Sequence, residues 1–146
     1  MAYHLITENL YLGDRSAANN ADLLNKLGFI LTVEVDPLSL DRPHNIRQMH
    51  IALEDVPEAD LVSELGRGLE FISEGVEREG QPTLVHCRAG MSRSASVVIA
   101  YLMKSRSWTL SQTFDFVKSH RQCVRPNEGF WEQLKLYQTS LGHCQG

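Results

Sequence analysis

Cysteine is scarce in this chain: Cys87, Cys123 and Cys144 are the only three among 146 residues. An odd, small number excludes a disulfide scaffold and suits a reducing compartment, cytoplasmic and also nuclear. Metal-ligand spacings are missing too. His120 and Cys123 stand three apart and His143 precedes Cys144, but neither has a second pair to complete four ligands, so neither a metal nor a cofactor is expected. A basic excess is absent: 14 Lys and Arg face 18 Asp and Glu, a formal charge of −4. That disfavours a general nucleic-acid or anionic-membrane binder. No apolar run is long enough for a membrane helix, and the N-terminus does not read as a signal peptide. Internal repeats and Pro/Gly/Ser linkers are also lacking, so residues 1–146 are expected to form one domain, working as a monomer.

What is present alternates between two periodicities. Glu8 to Gly13 reads as a short strand, and Ser16 to Leu27 as a helix with Gly28 just beyond it. Phe29 to Val35 is an apolar, β-branched run expected as a buried strand, followed by a Pro-containing loop, Asp36 to Asn45. Met49, Ile51 and Leu53 alternate as in a strand. Leu61, Leu65, Leu69, Ile72 and Val76 form one helical stripe, although Gly66, Gly68 and Gly75 oppose it. Glu64, Glu70, Glu74, Glu77 and Glu79 read as its solvated face. Thr83 to His86 predicts a strand and Ser92 to Lys104 a helix. Thr109 with Gln112 makes a capping box for a helix to about His120, and Asn127 caps a last helix, Glu128 to Leu141. The expected fold is α/β: a central, mostly parallel, twisted sheet of four to five strands flanked by helices.

The chemistry is concentrated in Val85-His86-Cys87-Arg88-Ala89-Gly90-Met91-Ser92-Arg93-Ser94. A strand ends at a cysteine, a short loop follows, and a long helix begins at an arginine. A loop folded back after a strand points backbone N–H groups inward. The helix N-terminus adds free N–H groups and partial positive charge. Gly90 lets the backbone turn, and the Arg93 guanidinium can hold two phosphate oxygens at once. Together these make a cradle for a phosphoryl group, lined by residues 88–93, with the Cys87 sulfur at its floor. Helix N-termini and adjacent cations favour thiolate, the nucleophilic form of cysteine. Ser94 can hydrogen-bond that sulfur, and His86 can orient the loop.

His86-Cys87 through Arg93-Ser94 matches the pattern HCxxGxxRS and resembles the signature of the cysteine-based protein phosphatases. The flanks resemble the atypical dual-specificity branch: Asn9 to Gly13 its opening strand, Ala100 to Met103 the helix after the loop, and Pro126 to Phe130 with Gln133-Leu134 its closing helix. The resemblance runs from about Thr7 to Tyr137. It implies hydrolysis of phosphotyrosine and phosphoserine or phosphothreonine monoesters through a cysteinyl-phosphate, with phosphoproteins as partners. It implies catalytic roles for Cys87, Arg93, Asp55 and Ser94. Substrate binding falls to His86, Arg88, Ala89, Gly90, Met91, Ser92, Arg93 and Arg121. Met49 to Leu61 (MHIALEDVPEADL) resembles the segment that carries the family's general acid, which places Asp55 as the acid, with Glu54 and Asp60 as weaker substitutes.

Plainer readings stand beside these. Asp55 can be a turn residue ahead of Pro57, and Arg121 a cation serving a helix C-terminus as readily as a substrate contact. A non-catalytic phosphate-binding module would not need Cys87, Arg93 and Asp55 together. A low-molecular-weight phosphatase places its cysteine before its acid, the reverse of this chain, and a rhodanese-type sulfurtransferase would not need Asp55.

Overall fold

The computed structural model of the chain describes residues 1–35 and 45–142. All but Asn45 of the expected loop Asp36–Asn45 lies outside them, as do His143 and Cys144. Five strands form one sheet: β1 (Tyr3–Thr7), β2 (Leu10–Gly13), β3 (Phe29–Val33), β4 (Arg47–Ile51) and β5 (Thr83–His86). Their spatial order is β1-β2-β5-β3-β4. Only β1 and β2 are antiparallel; β2, β5, β3 and β4 run parallel. Every residue of β3 and β5 is buried, as expected of parallel strands covered on both faces.

The larger face carries α2 (Val62–Ser73), α3 (Arg93–Arg106), α4 (Leu110–His120) and α5 (Glu128–Ser140). Phe29, Leu31, Val33 and Val85 point into this main core. Ile30 and Leu84 project to the other face, against Ala17, Ala18, Leu23 and Leu27. Helix α3 is the hub: ten consecutive residues, Ser94 to Met103, are buried. That is the pattern of a helix enclosed on all sides.

Several boundaries differ from the sequence expectation, each for a local reason. The first strand covers Leu10–Gly13, and Asn9 adopts a left-handed turn (φ 66°) that pairs it with the unanticipated β1. The single helix expected over Ser16–Leu27 is broken into a 3₁₀ turn (Ala17–Asn19) and a one-turn α1 (Ala21–Leu24). Asn20 breaks it: its backbone is extended and its side chain accepts a hydrogen bond from Leu23 N at 2.9 Å. Helix α2 forms despite its glycines. A Cβ at Gly75 would lie 2.5 Å from Thr83 Oγ1 and 2.8 Å from Phe29 Cγ, so the bare backbone is what lets this end rest on the sheet. The helix widens there into a π-turn, Glu74–Arg78. The capping box of α4 and the Asn127 cap of α5 are both formed.

The parallel strands all end on one edge. There β5 leads into the cysteine loop and β4 into the segment holding Asp55, where ligands of open α/β sheets bind.

Candidate active site

Cys87 follows β5 directly and is 2% exposed. Two groups reach its sulfur. Gly90 N–H donates to Sγ at 3.2 Å, and Ser94 Oγ lies 3.1 Å away. The loop closes so tightly because Gly90 takes a left-handed conformation (φ 66°); a Cβ there would stand 2.6 Å from Gly13 O. Ser94 is fully buried in the first turn of α3, so its hydroxyl is held against the thiol.

Arg93 opens α3, and its side chain reaches the segment that follows β4. Its Nη1 donates to Leu53 O at 3.2 Å, two residues before Asp55. Its Nε is buried with no hydrogen-bond partner among the described residues. Burying a guanidinium N–H unpaired is costly, and an oxyanion in the cradle would satisfy it.

His86 is 2% exposed, and its ring Nε2 pairs with Thr32 Oγ1 at 2.9 Å on the neighbouring strand. Its ring thus ties the start of the loop to β3, the orienting role expected of it, and is buried behind the loop's exposed rim. Arg88, Ala89 and Met91 are exposed on the rim; Gly90 and Ser92 are buried. Ser92 Oγ accepts from Asn127 N at 2.8 Å, which fastens the end of the loop to the cap of α5.

Asp55 is exposed, on the loop between β4 and α2. Its Oδ1 accepts from Asn127 Nδ2 at 3.0 Å. Asn127 therefore touches three things at once: the Asp55 carboxylate, Ser92, and Phe130 N, whose hydrogen bond its Oδ1 accepts at 2.9 Å. Further along α5, Gln133 holds the far end of the acid segment. Its Oε1 accepts from Leu61 N at 2.8 Å and its Nε2 donates to Ala59 O at 2.8 Å. Glu54 and Asp60 lie on the same segment, and Asp60 Oδ1 accepts from Ser63 N at 3.2 Å at the start of α2. Sequence reasoning did not single out Gln133 for this clamp, because its partners are backbone groups more than seventy positions away.

Arg121, like His86, is an expected substrate contact that the structure turns to the loop's own support. It is 3% exposed, behind the loop. Its Nε donates to Gly90 O at 2.9 Å and its Nη2 to Ala89 O at 3.2 Å. Nη1 donates to Met1 O at 3.0 Å and to His4 Nδ1 at 3.1 Å. Four of its five N–H groups are spent on these acceptors, and the buried guanidinium serves the back of the loop, not its mouth.

Comparison with known proteins agrees with this geometry. The family described as dual specificity phosphatase, catalytic domain, matches residues 10–140. Human dual specificity protein phosphatase 14 is 37% identical over 143 residues, covering 93% of this chain and 69% of that protein. Rat dual specificity protein phosphatase 12 is 35% identical over 142 residues, covering 94% of this chain. The match spans only 41% of the rat protein's length. The crystal structure of human DUSP28 superposes with a TM-score of 0.91 at 30% identity, covering 97% of this chain and 96% of that one. The chain belongs to the dual specificity phosphatase catalytic domain family, as an atypical dual specificity phosphatase of the cysteine-based protein tyrosine phosphatase superfamily.

Proposed function

We propose that this chain hydrolyses phosphotyrosine and phosphoserine or phosphothreonine monoesters of proteins through a cysteinyl-phosphate. The observation that carries the reading is the buried Cys87 sulfur, bonded by Gly90 N–H and Ser94, together with a buried Arg93 Nε that lacks a partner among the described residues.

In the first step the Cys87 thiolate attacks phosphorus. The S–P bond forms as the P–O bond to the leaving group breaks. Loop N–H groups and Arg93 hold the three equatorial oxygens, where charge is concentrated. Asp55, protonated, gives its proton to the departing oxygen, a contribution of about 10²–10⁴-fold. In the second step Asp55, now a carboxylate, takes a proton from water as that water attacks phosphorus. The S–P bond breaks, the thiolate returns and inorganic phosphate leaves. Ser94 stabilises the leaving sulfur by hydrogen bonding. A reducing compartment, cytoplasmic or nuclear, fits a mechanism that needs Cys87 unoxidised.

The test is Cys87→Ser assayed against an aryl phosphate and against inorganic vanadate. Turnover should vanish while vanadate binding persists. Near-normal turnover by the variant would sink the mechanism.

A further inference from the structure

The two peptide units at the floor of the phosphate loop are both gripped from behind by one side chain. The Ala89–Gly90 peptide presents its carbonyl to Arg121 Nη2 at 3.2 Å and its N–H to Cys87 Sγ at 3.2 Å. The next peptide, Gly90–Met91, presents its carbonyl to Arg121 Nε at 2.9 Å. In a trans peptide the N–H points opposite to the carbonyl. Anchoring both carboxyl-side oxygens on the inner wall therefore turns the N–H groups of Gly90 and Met91 away from Arg121. The first of these is the group seen on the sulfur.

We infer that Arg121 is a positioning residue for the reaction: it fixes the peptide planes whose N–H groups serve the Cys87 sulfur and the phosphoryl oxygens. The proposal rests on the phosphatase reading above and extends it to a residue outside the HCxxGxxRS stretch. Glycine at position 90 has no side chain to hold its own plane, and its left-handed conformation leaves alternative peptide orientations accessible. A planar guanidinium with several fixed donors selects one of them. Its remaining donor work, on Met1 O and His4 Nδ1, seats the guanidinium itself against β1. Gly90 must also be bare for this seat to exist: a Cβ there would lie 2.7 Å from Arg121 Nη2. A lysine could supply charge, but its three donors share one freely rotating nitrogen and cannot reach both carbonyls from separate, fixed nitrogens as the guanidinium does.

The experiment compares wild type with Arg121→Lys, Arg121→Met and, as a destabilised control on the same helix, Val117→Ala, whose side chain is fully buried in the core. Five kinds of quantity are read at a temperature where each protein is folded by circular dichroism. They are kcat and KM for an aryl phosphate, inhibition by vanadate, the rate of Cys87 alkylation by iodoacetamide, and the amide ¹H–¹⁵N shifts of Gly90 and Met91. For Arg121→Met the vanadate inhibition constant should rise about tenfold or more, by comparison with the 10²–10³-fold seen when an oxyanion donor is removed outright. Alkylation should slow, and both amide resonances should move. Arg121→Lys should fall between, and it carries the test alone if the methionine variant does not fold. Val117→Ala should lose stability yet keep the inhibition constant and the two amide shifts near wild type. Folded Arg121 variants whose vanadate inhibition, alkylation rate and amide shifts match wild type overturn this inference and leave the phosphatase reading intact. A wild-type chain that neither hydrolyses the aryl phosphate nor binds vanadate overturns the phosphatase reading itself.

Discussion

Gly129 is the position where one methyl group should disable acid catalysis without unfolding the protein. It lies in the first turn of α5, and a Cβ built there would stand 1.9 Å from Pro57 O and 2.4 Å from Pro57 Cα. Ordinary van der Waals contact begins near 3.4 Å, so Gly129→Ala must open a gap of about 1.5 Å. Helix α5 cannot retreat easily, because Phe130 and Leu134 are fully buried. The acid segment cannot slide as a unit either. Arg93 holds Leu53 O at its start, and Gln133 holds Ala59 O and Leu61 N at its end. The displacement is thus forced into the stretch between, which contains Asp55. A misplacement of about 1 Å can cost on the order of 10²-fold in rate. A phenyl phosphate, whose leaving group needs its proton, should lose about 10²-fold in kcat, within the range for losing a general acid. A 4-nitrophenyl phosphate, with a far better leaving group, should lose less than about tenfold. Stability is a poor reporter: the helix propensity gain of up to about 1 kcal/mol opposes an overpacking cost of about 1–3 kcal/mol. The measurement is kcat for the two esters side by side. A variant within twofold of wild type on both would refute the argument that α5 sets the position of Asp55.

Two further substitutions separate roles that the structure combines in single residues. Asn127→Ala removes both the α5 cap and the partner of Asp55, so urea unfolding should show a loss of about 1 kcal/mol together with a lower kcat on the phenyl ester. Asn127→Asp retains a capping oxygen but sets a carboxylate against Asp55; stability should stay close to wild type at pH 7 while kcat falls, and equal losses in both variants would count against the pairing. His4 gives a pH signature. Burial, with lesser help from the Arg121 guanidinium, the N-terminal amine and His120, holds its ring below the usual value of 6.5. The unfolded chain therefore binds the extra proton more readily, so the stability His4 contributes is complete above about pH 6.5 and is lost as pH falls towards the folded value. The urea midpoint should drop between pH 7.5 and 5.5 more steeply in wild type than in His4→Gln; identical slopes would remove His4 as the cause.

What could be read from the sequence was the chemistry that is contiguous in the chain. Residues 86–94 make their cradle largely by themselves, with a strand before and a helix after, and each part has a recognisable residue type. The α4 capping box and the Asn127 cap were readable for the same reason: a side chain bonds a backbone group three positions away. Strand β1 left no such trace, because it is an edge strand in which only Ile6 is buried. The split of the first helix at Asn20 was hidden because asparagine suits both a helix cap and, at modest cost, a helix interior.

The Arg121 case exposes a deeper limit. Its neighbours in sequence suggested a substrate contact or a helix-end cation, both of which depend on the identity of a partner side chain or on local position. Three of its four acceptors, Met1 O, Ala89 O and Gly90 O, are instead backbone carbonyls, which every residue carries. The clamp by Gln133 on Ala59 O and on the N–H groups of Leu61 and Val62 is of the same kind. A side chain that works on backbone leaves no complementary residue elsewhere for a motif to display. Only the crossing of α4 and α5 behind and beside the loop brings these donors to their carbonyls. The proposed reagents of this site, Cys87, Arg93 and Asp55, are therefore written locally, while their alignment depends on residues whose importance exists only once the sheet and its helices have formed.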